Sequence, residues 1–133
     1  MQKLILSIIF IFSFSFVGLS QNALSKLSEE QIKTAISHKW KLSFLEGKGK
    51  KIKISDDKAT LFLGFNSDGK LYESDGKKEY YGTWTHNHSS FTITTNDKDG
   101  IEKHVIIDVS NDQLILKSKF RGIPFNMGLQ KVN

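Results

Sequence analysis

The chain has 133 residues, a formal net charge of +5 and no cysteine. Without a thiol it has no disulfide, no cysteine nucleophile and no lipid-anchored N-terminal cysteine. Nearly all its cations are lysines and Arg121 is the only arginine, so the arginine forks that read phosphate and guanine are missing and no nucleic-acid partner is expected.

Met1-Gln2-Lys3 gives a short positive start, and Leu4 to Val17 is an apolar run broken only by Ser7, Ser13 and Ser15. Gly18-Leu19-Ser20 then supplies small residues. This layout predicts a secretory signal peptide over residues 1–20, cut between Ser20 and Gln21, and hence an exported, periplasmic or extracellular protein. The apolar run is shorter than the roughly 20 residues that cross a bilayer, so no membrane span is expected. The remaining stretch, about 113 residues, suffices for one domain and leaves no room for two.

Residues 21–37 read as a helical lead. Ser28 with Gln31 three positions on is a capping-box pattern, and Glu29 and Glu30 suit the positive start of a helix. Leu24, Leu27, Ile32, Ala35 and Ile36 form a loose apolar stripe, suited to lie against the open end of a sheet structure.

From residue 38 to 133 the period changes to two, the strand period. Large apolar side chains recur at Trp40, Leu42 and Phe44, then at Leu61, Leu63 and Phe65, and at Phe91 and Ile93. Val105, Ile107 and Val109, Leu114 and Leu116, and Phe125, Met127 and Leu129 continue the pattern. The predicted strands are 39–46, 50–55, 59–66, 69–74, 78–87, 90–96, 102–109, 113–120 and 124–132. Asp68-Gly69 and Asp75-Gly76 predict tight hairpins, on the expectation that both central residues take positive φ. Turn signals near 87, 99 and 111 recur every 12 residues, the spacing of a meander. The sequence thus predicts an all-β fold of eight or nine antiparallel strands. A closed up-and-down barrel hides its edges, and the short connections favour it over a two-sheet sandwich.

Several residue groups carry a more specific signal. The order Lys39-Trp40-Lys41-Leu42, Leu63-Gly64-Phe65-Asn66-Ser67-Asp68-Gly69-Lys70, Tyr81-Gly82-Thr83-Trp84 and Asn111-Asp112-Gln113-Leu114-Ile115-Leu116 resembles the small bacterial lipocalin-like domains that Bacteroidetes export. The resemblance covers about residues 36–132. It implies a lipocalin-like barrel with a short N-terminal helix, and a late-strand arginine packed across the first-strand tryptophan. Trp40 and Arg121 would be that structural pair, the alternative being an exposed arginine in a turn. The chain departs from the pattern in having His38-Lys39-Trp40 where Gly-x-Trp is usual, and it lacks the Thr-Asp-Tyr motif of larger members.

Catalytic chemistry finds little support. There is no Gly-x-Ser-x-Gly elbow and no glycine-rich loop leading into a helix to cradle phosphate. Glu46, Asp56, Asp57, Glu73 and Glu79 fall in or beside turns and read as solubilising carboxylates. Of the four histidines, His86 and His88 share a strand face and could hold zinc with His38 or His104 brought close, but nothing places that third ligand beside them. Asp97-Lys98-Asp99-Gly100 reads as a hairpin turn, since Glu102 follows too soon for a calcium loop. No metal, no cofactor and no enzymatic activity are expected.

The aromatic set is the remaining lead. The binding reading has an apolar or amphipathic small molecule held in the barrel by Phe44, Leu63, Phe65, Tyr80, Trp84, Phe91, Ile107, Leu116 and Met127. Gly82, on the face of Tyr80 and Trp84, would leave it room. In the competing reading the same side chains fill a solid core, and the outer face contacts a protein or a cell-surface polymer. The lysines at 48, 50, 51 and 53, interleaved with Gly47 and Gly49, read as a solvated hairpin rim, with contact to an anionic lipid head group or polymer as the alternative.

Overall fold

A computed structural model describes residues 26–133. The predicted signal peptide, its cleavage point and the first residues of the helical lead lie outside the described residues. Helix α1 is Glu29–Ile36, shorter than the expected lead. Its capping box forms as the sequence pattern requires: the Gln31 amide donates to Ser28 Oγ at 3.1 Å, and the Ser28 amide donates to Gln31 Oε1 at 2.8 Å. Two of the otherwise orphaned amides at the helix start are thereby satisfied.

Nine strands follow: β1 (Lys39–Gly47), β2 (Lys50–Lys53), β3 (Phe62–Phe65), β4 (Lys70–Ser74), β5 (Glu79–Asn87), β6 (Thr92–Asp97), β7 (Gly100–Val109), β8 (Gln113–Phe120) and β9 (Ile123–Lys131). A short 3-10 turn at Asp56–Lys58 separates β2 from β3. Each strand from β3 to β9 pairs antiparallel with the next. β1 pairs with β3 through its first half and with β2 through its second. On its other side β1 pairs with β9, which closes an eight-stranded barrel and leaves β2 as an additional strand. Closure removes the exposed edges an open meander would carry.

α1 covers one end. Ile32 and Ile36 are fully buried in the same cluster as Trp40, Ile93, Ile106 and Leu114. Trp40 Nε1 donates to the Ile36 carbonyl at 2.9 Å, joining the helix C-terminus to the first strand. At the same end Trp84 Nε1 donates to the Asn66 carbonyl at 2.7 Å, and its ring meets Phe65 edge-on at 5.2 Å.

Two irregularities change which residues face inward. Between β9 and β1 the register slips, with Gly128 opposite Phe44 but Leu129 opposite Leu42. Leu45, opposite the buried Met127, therefore packs on the core, and Phe44 takes the other face over Gly128. Between β7 and β8 the slip lies at Ile106/Asp108. Ile106 is fully buried opposite Leu116, and Ile107 is the extra residue. Strict alternation had placed Phe44 and Ile107 inside. A bulge inserts one residue and reverses the parity of everything beyond it.

The turns also differ from expectation. At Asp68-Gly69, Asp75-Gly76 and Asp99-Gly100 only the glycine takes positive φ. Both central residues do so at Lys48-Gly49 and Arg121-Gly122, the geometry of the primed two-residue hairpin.

Candidate functional site

The inward rows change chemistry along the barrel axis. Near α1 they carry Trp40, Phe65, Trp84, Ile93 and Ile106. Toward the far end the cross-strand register continues them into polar residues. Glu73 stands opposite Leu63, Thr95 opposite Trp84 and Glu102, and His104 opposite Ile93. Ser118 follows Leu114 and Leu116 on β8 and is buried with them. The barrel is thus oily under the helix and polar at its open end.

These polar groups hold one another. His104 Nδ1 lies 2.6 Å from Ser118 Oγ. On the other side of the ring Nε2 lies 3.4 Å from Thr95 Oγ1 and 3.8 Å from Glu102 Oε1. Burial lowers the His104 pKa, against the opposing pull of Glu102 and Asp97. Glu73 behaves in the opposite sense. Burial, the adjoining Asp97 carboxyl and the charges of Glu102 and Asp99 push it up to about 7. This correction to the sequence reading has a simple cause: Glu73 sits beside a turn but on the inward row.

The wall itself opens here. β7 runs from Gly100 and β8 runs to Phe120, yet they pair only from Val105/Lys117 toward the helix end. Each strand stays paired on its other side to its tip, Gly100 with Asp97 and Phe120 with Ile123. The resulting cleft has a volume of about 580 Å³ and is lined by Glu102 to Val105 and Lys117 to Lys119. The His104–Ser118 contact bridges it from the inside.

Of the residues singled out by sequence, Leu63, Phe65, Trp84, Leu116 and Met127 are buried together in one core cluster with Trp40, and Phe91 packs against that cluster. Phe91 caps the turn into β6 with φ 52°, its ring 5.6 Å from His88. Tyr80 is half-buried opposite Glu73, with the Lys98 ammonium 4.3 Å over its ring. Phe44 is buried but stands outside that cluster, over Gly128, and Ile107 is half-buried off the core face. Arg121 does not reach Trp40. It occupies an exposed hairpin turn at φ 52° and lies over the neighbouring Phe120 ring at 5.3 Å. A two-residue turn between β8 and β9 holds it at the far end from Trp40. The room expected above Gly82 is taken by backbone, because a Cβ there would run into the Asn96 carbonyl.

His86 and His88 have ring centroids 5.9 Å apart. Among the described residues no group of three potential ligands converges on a metal position. Burial lowers the His86 pKa, with further lowering from His88 and Lys33 against the pull of Glu29. No described helix is long and apolar enough to cross a membrane.

Sequence reasoning missed the polar mouth as a unit. The signal was present, since the inward row of β4 passes from Leu71 to Glu73, that of β6 from Ile93 to Thr95, and that of β8 from Leu116 to Ser118. Reading it requires knowing that all these strand ends meet at the same rim.

A closed antiparallel barrel with a helix over one end and a parted wall at the other defines a small up-and-down β-barrel. The chain belongs to the lipocalin-like domain family, which matches it over residues 36–116. The match stops just short of Lys117–Lys119 and β9, so it spans one wall of the cleft and not the other. No curated protein and no solved structure matches the chain.

Proposed function

We propose that this protein is an exported binding module that takes up a small amphipathic molecule at the open end of its barrel. The observation that carries the reading is the parting of β7 from β8 into a 580 Å³ cleft, within the usual size range of small-molecule sites. Lys103, Lys117 and Lys119 line it. Their ammonium groups suit an anionic head, and their alkyl stems offer apolar contact. Behind the His104–Ser118 bridge the next inward residues are Ile106 and Leu116, which suit a short apolar tail. Export rests on the signal-peptide pattern of residues 1–20. The lipocalin-like family is generally a binding fold, which supports a non-enzymatic role.

A second reading, a filled-core interaction domain, draws on the helix end. There Trp40, Phe65 and Trp84 are closed off from solvent and serve stability. Titration of a fluorescent fatty-acid analogue against the mature protein separates the two. The binding reading expects saturable fluorescence, weakened several-fold in Lys117→Gln/Lys119→Gln because an anionic head loses charge-assisted partners. Native mass spectrometry of the same mixture should show a one-to-one complex. Fluorescence that rises linearly without saturation, with no bound species, would leave the interaction domain as the better account.

A further inference from the structure

Three hairpin tips stand side by side at the open end. The β1–β2 tip neighbours the β8–β9 tip through the pairing of Asn126 with Glu46, and the β6–β7 tip faces it across the cleft. Four of the five exposed large apolar residues of the described chain sit on these tips: Ile52, Ile101, Phe120 and Ile123, at 61%, 70%, 65% and 46% exposure. Isolated exposed apolar residues need no explanation, but a gathering of them at one end does.

Two of these tips are strongly basic. The β1–β2 tip carries Lys48, Lys50, Lys51 and Lys53 against Glu46, and the β8–β9 tip carries Lys119 and Arg121. The β6–β7 tip is acidic instead, with Asp97, Asp99 and Glu102 around Lys98, and Asp99 lies 3.6 Å from Lys98. Both two-residue turns are held by positive-φ pairs, Lys48-Gly49 and Arg121-Gly122, so the side chains are displayed on short, constrained supports.

We infer that the β1–β2 and β8–β9 tips dock on an anionic lipid surface, with Phe120, Ile123 and Ile52 entering the headgroup region while the surrounding lysines and Arg121 meet the phosphates. Apolar side chains ringed by cations are what interfacial binding requires: the apolar area supplies insertion, and each cation adds electrostatic attraction. An acidic protein partner would use the cations but would leave Ile52, Phe120 and Ile123 without a role. Docking needs only the tips, not an occupied cleft.

The test is sedimentation of ligand-free mature protein with vesicles of phosphatidylcholine, alone or mixed with phosphatidylglycerol, at low and high salt. The expected result is partition onto the mixed vesicles, little onto phosphatidylcholine, and release as salt rises. Phe120→Ser/Ile123→Ser should weaken partition by more than about tenfold at low salt, since it removes two inserted side chains. These residues are exposed, so the variant should melt like the parent, and a matched melting curve confirms that only the surface has changed. Two results would overturn the docking: no partition onto mixed vesicles at low salt, or partition undiminished in Phe120→Ser/Ile123→Ser, which is the signature of charge alone and the pattern an acidic protein partner would produce. The fatty-acid titration, run without vesicles, reads the cleft separately, so either reading can fail without the other.

Discussion

The fold opposes the ionisation of Glu73. Its carboxyl lies on the inward row with Asp97 beside it and Glu102 and Asp99 near, and is pushed from 4.5 up to about 7. A folded value above the unfolded one means the folded state holds the proton more tightly. Stability attributable to this group is therefore full below about pH 4.5 and is lost as pH rises to about 7. His104 and His86, with lowered values, act oppositely, since their neutral folded forms lose stability as pH falls below 6.5. The difference between parent and Glu73→Gln isolates the carboxylate. Thermal melts should show Glu73→Gln more stable than the parent at pH 8 and nearly level with it at pH 4.5. A gap that does not change with pH would mean that Glu73 is not titrating against its neighbours. His104 was legible in the sequence only as one of four histidines. Its buried contact with Ser118 depends on two strands that meet across the barrel mouth.

At the scale of elements, the strands follow from periodicity and the bulges do not. Alternation correctly places Trp40, Leu63, Phe65, Leu114 and Met127 in the core. It misplaces Phe44 and Ile107 because a bulge is a property of the strand pair, set by how β1 meets β9 and β7 meets β8. Gly128 shows what the first bulge requires. A Cβ on it would collide with the Phe44 ring, so the ring covers the backbone of the facing strand where a side chain would otherwise stand. Gly128→Ala should destabilise by about 1–3 kcal/mol through overpacking. Gly128→Ala/Phe44→Ala should cost less than the sum of the single changes, because the collision is then absent. Strictly additive urea midpoints would show that the two residues do not share this contact. The helix cap, by contrast, was legible in Ser28 and Gln31, although the expected lead began at residue 21. Ser28 and Gln31 act within one turn, and their bonds need nothing from the rest of the chain.

For the whole molecule, β7 and β8 are each paired along their helix-end halves and separated at their open-end halves. Local stability should follow that division. Hydrogen exchange should find amides of residues 101–104 and 118–120 that face the cleft exchanging faster than those of 105–109 and 113–117 in the same strands. Uniform protection along both strands would mean that the cleft is closed in solution. The same division orders the barrel from a sealed, aromatic end beneath α1 to a polar mouth flanked by apolar and basic tips. Binding and docking are both assigned to that mouth because that is where side chains remain uncommitted to the core.

The amino-acid order by itself determined a closed antiparallel meander of eight or nine strands, the helix cap and most of the buried faces, because these arise between residues near one another in the chain, from a period of two or from short connections. Tertiary structure alone decided the two bulges, the meeting of Glu73 with Asp97 and of His104 with Ser118, and the gap between β7 and β8. Those depend on distant segments arriving at one place, and no local pattern specifies which strand end will face which.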